Sequence, residues 1–236
     1  MAGYPTAQVY LAQAAWGRLK KPYIGVRPLD RNGERPAKSV WRGTDALACW
    51  TWPGHEGQKA EVEVYADADT VELCLNNRVI GRKKLKECRA VFTVSYQPGT
   101  LTAAACDKDG NRTAASELRT AGTESRLRLS ADRQVLPADG ESLCYVVIEI
   151  TDKNGILKMA EDRKVELSVT GPGTLIGFGS AKACTEETFN TCIHSTFRGR
   201  ALAVIRSTET AGPVRIGARA DGLEPQVIEL NCIEKE

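Results

Sequence analysis

Over most of its length the chain alternates apolar and polar residues at a period of two, the pattern of half-buried strands. Val62, Val64, Val71, Leu73 and Leu75 keep that step, with the turn Ala66-Asp67-Ala68-Asp69 between them. Asn76-Asn77 is placed for a tight hairpin. Val91-Phe92-Thr93-Val94 follows, then the turn Gln97-Pro98-Gly99-Thr100, an apolar run over 101–106 and the turn Asp107-Lys108-Asp109-Gly110-Asn111. Tyr23-Ile24-Gly25-Val26 reads as an earlier, shorter strand. The rhythm breaks at Leu118-Arg119-Thr120-Ala121-Gly122-Thr123 and resumes with Arg126-Leu127-Arg128-Leu129-Ser130. Residues 144–151 form a near-continuous apolar strand, and 165–169, 201–205 and 214–218 complete the second set.

One stretch has a different period. Across 6–19, Val9, Leu11-Ala12, Ala15-Trp16 and Leu19 recur at three- and four-residue spacings, which predicts a helix. Lys20-Lys21 suit the negative end of its dipole, and Pro22 stops it. Short strands with turns every 8 to 12 residues (about that spacing) are the grammar of an immunoglobulin-like sandwich. The expectation is therefore an all-β chain: two tandem immunoglobulin-like β-sandwiches with a short N-terminal helical stub. The boundaries are 1–21 for the stub, 22–121 for the first sandwich and 122–236 for the second. A chain of 236 residues accommodates two domains of about 100 to 130 residues each.

Charge and cysteine usage narrow the function classes. The 32 basic and 30 acidic residues leave a net charge of +2, spread without blocks, which gives no electrostatic reason for a nucleic-acid or anionic-membrane partner. No apolar run approaches the roughly 18 residues of a spanning helix, and the first residues show no signal-peptide core. Eight cysteines are too sparse for a disulfide scaffold, and none occurs as Cys-x-x-Cys or at zinc spacing with a His. Cys74, Cys106 and Cys144 sit in strand-like runs where a small apolar side chain serves. These settings favour reduced packing thiols and lean towards a cytoplasmic address. No metal or cofactor is implied.

The order of motifs resembles the C-terminal β-sandwich region of family 2 glycoside hydrolases, the β-galactosidases and their relatives. It rests on Trp50-Thr51-Trp52-Pro53-Gly54-His55-Glu56-Gly57, Val64-Tyr65, 71–76, Gly81-Arg82 and Tyr96-Gln97-Pro98-Gly99-Thr100-Leu101 in the first half. It continues through Thr120-Ala121-Gly122, Ala138-Asp139-Gly140, 147–152, Gly171-Pro172-Gly173, Gly177-Phe178-Gly179-Ser180 and Phe197-Arg198-Gly199-Arg200-Ala201. Relatives carry Asn-Gly-Asp near 179–181, where this chain has Gly179-Ser180-Ala181. The resemblance implies a non-catalytic accessory region whose partner is the parent's barrel, with assembly into a homo-oligomer through that parent. Such enzymes work on a (β/α)8 barrel of about 250 residues, for which the chain has no room. The stub resembles the last barrel helix, with its apolar face lacking a native partner, which suggests an excised fragment.

Candidate chemistry within the chain is sparse. Retaining glycosidases need two carboxylates about 5 Å apart. Glu56, Glu61, Glu63 and Glu72 are expected on solvated faces, and the adjacent Glu186-Glu187 point opposite ways. Only His55 and His194 could serve a nucleophile system, and Gly-x-Ser-x-Gly is absent. The 107–111 run has the acidic spacing of a calcium loop, but its Gly falls two places early, so a plain turn is expected. Asn111-Arg112-Thr113 is a formal glycosylation sequon. The cluster that draws most interest is Trp41, Trp50, Trp52 and His55. Indoles stack on the C–H faces of sugars, so these residues are the candidate carbohydrate-binding set for a poly- or oligosaccharide. The competing readings are sandwich packing, docking of the barrel and lining the rim of the parent's active site. An adhesin-like spacer is a further alternative.

Overall fold

A computed structural model describes residues 4–31 and 43–234. It divides into two compact units, Tyr4–Thr120 and a second that begins at Ala121. Both are antiparallel β-sandwiches apart from one parallel pairing in the second.

In the first unit one sheet holds β1 (Tyr23–Val26), β2 (Lys59–Tyr65) and β5 (Arg89–Ser95), in the order β1-β2-β5. The other holds β3 (Thr70–Leu75), β4 (Arg78–Lys84), β6 (Thr100–Cys106) and β7 (Arg112–Arg119), in the order β4-β3-β6-β7. The period-two pattern does what it must: Val62, Val64, Val71, Leu73, Phe92, Val94, Leu101 and Ala103 are all buried. The β3–β4 hairpin turns on Asn76 (φ 50°) and Asn77 (φ 65°), a left-handed pair that Asn tolerates better than most non-glycine residues.

Helix α1 (Ala7–Ala15) is shorter than the expected 6–19. Gly17, at φ +64°, ends it, with its N–H on the Ala14 carbonyl and the Trp16 N–H on that of Ala12. That is a glycine stop in the left-handed region, ahead of the lysines and Pro22. Nor does the helix lack a partner. Ala7 and Ala14 are buried with Ala46 and Tyr65, and Tyr10, Leu11, Leu19 and Tyr23 pack around them. Tyr10, Tyr23 and Tyr65 form a stacked column with centroid separations of 4.3 and 5.6 Å.

The second unit has a four-stranded sheet of β8 (Arg126–Ala131), β10 (Leu143–Thr151), β12 (Gly173–Gly179) and β14 (Arg200–Ser207), ordered β12-β14-β10-β8. Its five-stranded sheet holds β9 (Val135–Pro137), β11 (Lys164–Thr170), β13 (Ile193–Ser195), β15 (Gly212–Ala220) and β16 (Gln226–Ile233), ordered β13-β11-β15-β16-β9. β9 runs parallel to β16. Leu127, Val146, Ile148, Ile150, Phe178, Ile205 and Ile216 make the core between them.

Both units use the same five-residue turn. Asp107 accepts the N–H groups of Asp109 (3.0 Å) and Asn111 (2.8 Å) on one carboxylate oxygen, with Gly110 at φ +85°. Asp152 accepts those of Asn154 and Ile156 (2.8 Å each), with Gly155 at φ +79°. The acidic residue closes the turn on its own backbone, as the turn chemistry of Asp requires. Asp152 gives its other oxygen to the Gly122 N–H at 2.8 Å, where the second unit begins.

All eight cysteines are free thiols, with Cys49, Cys106, Cys144 and Cys232 buried. Burial pushes the Cys144 thiol up to about 11, so it packs rather than reacts.

A large-to-small change in the second core measures how much packing contributes. Ile148→Ala is expected to lower unfolding free energy by about 3 kcal/mol, whereas Val227→Ala, at a 63% exposed position, stays within about 0.5 kcal/mol. Urea unfolding of the chain gives both values, and equal effects at the two sites would contradict the assignment of the core.

Candidate functional site

The segment that carries the tryptophan pair belongs to no strand. Its backbone groups therefore need other partners, because buried orphans are costly. The Trp52 N–H donates to the Tyr96 hydroxyl at 2.9 Å, and the Thr120 hydroxyl donates to the Trp50 carbonyl at 2.6 Å. Thr120 also accepts the Gly99 N–H at 3.0 Å. The Trp50 indole N–H donates to the Gln97 carbonyl at 3.0 Å, and the ring meets Tyr96 edge-on with centroids 4.9 Å apart. Burial raises the Tyr96 hydroxyl above its ordinary range, so it stays protonated and neutral.

Trp50 is 1% exposed and Trp52 0%. Neither offers a face to solvent, and a sugar ring stacked on either would have to displace the core around it. The two sit on a coil segment, and their rings point inward. His55 lies beside them on a surface turn, its Nδ1 3.2 Å from the Gln58 carboxamide oxygen. The His55 N–H donates to the Trp52 carbonyl (3.2 Å) and the Gly57 N–H to the Tyr96 carbonyl (2.8 Å), which fastens the turn to the same knot. Trp41 lies outside the described residues.

The carboxylates behave differently from the expectation. Glu61 stays on a solvated face, but Glu63 is fully buried and Glu72 nearly so. Glu63 accepts from Arg27 Nε (3.0 Å), the Thr44 hydroxyl (3.0 Å) and the Tyr65 hydroxyl (2.5 Å), with Arg89 at 3.1 Å. Glu72 is held by Arg82 at 2.9 Å and by Arg112. Glu149, in the second unit, lies between Arg200 at 2.9 Å and Arg128, its two cross-strand neighbours. The sequence reading missed this because alternation places these residues on outer faces, and only the flanking arginines of adjacent strands reveal the clamp.

Burial works to raise Glu63 and Glu149, but the hydrogen bonds and arginine charges around them outweigh it and hold both carboxyls below the usual range. Arginine hydrogen bonds do the same for Glu72. A glycosidase acid needs the reverse, a carboxyl raised so that it carries a proton near neutrality. These three are ionised at neutral pH and already committed. Glu187 is likewise engaged, accepting the Ser195 N–H (3.1 Å) and hydroxyl (2.8 Å). Among the described residues no group of three His, Cys, Asp or Glu side chains could hold a metal ion.

Comparison with known proteins decides the family. Residues 127–229 match glycoside hydrolase family 2 C-terminal domain 5, and residues 57–114 match a domain of unknown function. The chain is 32% identical over 237 residues to the β-galactosidase BoGH2A of Bacteroides ovatus, covering 99% of this chain and 25% of that protein. The chain has the sequence and fold of the C-terminal region of family 2 glycoside hydrolases. It is also 24% identical over 193 residues to a β-galactosidase of Thermoanaerobacter pseudethanolicus, covering 74% of this chain and 24% of that protein. A crystal structure of a family 2 member from Bacteroides cellulosilyticus superposes with a TM-score of 0.91 at 31% identity, over 99% of this chain and 31% of that one. The chain thus spans about a quarter of the length of the curated relatives it matches.

Two substitutions probe this assembly. Tyr96→Phe leaves the buried Trp52 N–H without its acceptor and is expected to cost about 1 to 3 kcal/mol in urea unfolding; a cost near zero would remove the knot from the account. A carboxyl with a lowered folded pKa stabilises the fold above its unfolded value near 4.5 and loses that contribution as pH falls through the folded value. Glu149→Gln is therefore expected to lower stability by about 1 to 2 kcal/mol at pH 7, after allowance for the exposed arginine heads. Its melting temperature should converge with that of the unsubstituted chain below pH 4.5. A gap that stays constant with pH would contradict the clamp.

Proposed function

We propose that the chain is a non-catalytic accessory region of a β-galactosidase-like family 2 glycoside hydrolase, which buttresses the barrel, contributes to subunit assembly and shapes the approach to the substrate. The observation that carries this reading is the continuous match of 99% of the chain to one quarter of a β-galactosidase. The chemistry agrees with it, since the buried carboxylates are clamped in ionised form and the tryptophan pair is spent on packing. Recognition of glycans through Trp50, Trp52, His55 and Trp41 is the competing reading, and the burial of the indole pair weighs against it.

The test compares the chain with a longer polypeptide that includes a barrel. The chain alone is expected to release no aryl leaving group from an aryl β-galactoside, and the longer polypeptide is expected to do so. Trp52→Ala in the longer polypeptide should lower the temperature at which activity is lost, while leaving KM at 25 °C within about twofold, because a packing defect acts through stability. Hydrolysis by the chain alone would overturn the reading.

A further inference from the structure

Trp50 and Trp52 are inside, but another aromatic ring is both exposed and rigidly held. Phe189 is 56% exposed, although it belongs to the 180–192 segment that links β12 to β13. One face of its ring lies on the His194 imidazole, with centroids 5.6 Å apart and planes within 13°. His194 itself is fully buried, pressed from the side by Phe178 at 5.9 Å, with Nδ1 2.9 Å from the Ser195 carbonyl oxygen. The backbone is fastened too, because the Phe178 N–H donates to the Phe189 carbonyl at 2.8 Å. Glu187 ties the same segment to β13 through Ser195. Gly179 clears the space the ring occupies, since a Cβ there would lie 2.2 Å from Phe189 Cδ1.

An aromatic ring left half in water on a mobile loop would need no explanation. This one is buttressed by a buried imidazole, a backbone hydrogen bond and a glycine that makes room for it, so its exposed area is presented in a fixed orientation. A fixed ring stacks on a ligand without the ordering cost that a free side chain has. Thr188 and Asn190, exposed on either side of it in sequence, supply a hydroxyl and a carboxamide for polar contacts.

We propose that Phe189, backed by His194, is a stacking platform for the apolar C–H face of a pyranose ring in a neutral poly- or oligosaccharide. His194 acts as a positioning residue, and Gly179 keeps the ring's place open. The choice of ligand class rests on the glycoside-hydrolase reading above; the location rests on the geometry alone.

Affinity electrophoresis of the chain through gels of galactan, arabinogalactan and xylan tests it, with Phe189→Ala, Phe189→Trp, Trp16→Ala and His55→Ala run alongside. The expected result is retardation by at least one glycan and a loss of about tenfold in affinity with Phe189→Ala. Phe189→Trp should retain or strengthen binding, and Trp16→Ala and His55→Ala should leave it unchanged. Phe189→Trp keeps the test decisive if Phe189→Ala fails to fold, because a bound chain that loses its glycan on gaining a larger ring contradicts stacking. Absence of retardation on every glycan, equal retardation with Phe189→Ala, or loss with Trp16→Ala or His55→Ala would each overturn the proposal. Glycan binding by the chain and hydrolysis by the longer polypeptide are separate readouts, so failure of one does not masquerade as failure of the other.

Discussion

The first sandwich depends on closing a segment that has no strand partner. Residues 50–52 cross buried ground as coil, and every backbone group there must find an acceptor or donor outside a ladder. Tyr96, just after β5, and Thr120, just after β7, supply two of them, and Gln97 takes the Trp50 indole. The same contacts draw together the ends of strands from both sheets. Two large indoles then fill the core, so the polar knot and the apolar filling hold each other in place. Motifs rich in tryptophan invite a binding interpretation, but here the residues that surround the rings are those a structural seal requires.

Outer faces are organised by a second device, repeated in both units. Glu63, Glu72 and Glu149 lie on strands with arginines from flanking elements on either side. Each carboxylate is buried while the arginine side chains on Glu72 and Glu149 remain 29% to 61% exposed, a division that spares the guanidinium much of its desolvation. Cross-strand placement makes the clamp a register device as well: a one-residue slip would move Glu149 off both Arg128 and Arg200. Glu63 on β2 and Glu72 on β3 are thus parts of the sheet, and their lowered carboxyls are the opposite of what acid catalysis needs.

Many strands whose inner residues are Val, Ile, Leu or Phe were legible in the sequence, because burial of one face is what writes the pattern, although β9, β12, β13 and β16 were not read from it. Nor were β4 and β7. Arg78–Lys84 and Arg112–Arg119 are exposed or half-exposed edge strands, charged enough to discourage edge-to-edge pairing, and that same charge hides them from a hydrophobicity reading. The end of α1 was misplaced because the lysines and Pro22 masked the earlier stop at Gly17, whose φ of +64° is a property of the fold. The Asn76-Asn77 hairpin and the 107–111 turn could be read because their chemistry is local. The burial of the tryptophan pair was the least legible. The inward rotation of Trp50 and Trp52 is set by Tyr96 and Thr120, 44 and 70 residues further along the chain, and no local signal records it.

What emerges is a pair of sandwiches, similar to the C-terminal region of family 2 glycoside hydrolases, in which buried aromatics and ionised carboxylates serve the frame. The most direct test of that frame is the solvent accessibility of the tryptophan pair. In a Trp16→Phe, Trp41→Phe variant excited selectively at tryptophan, only Trp50 and Trp52 emit, and acrylamide quenching reports their exposure. The account predicts blue-shifted emission and quenching at least about tenfold weaker than for a free indole, unchanged by added galactan or xylan. Quenching like that of a free indole, or protection that appears only when glycan is added, would contradict it and return the pair to the role of a sugar-binding surface.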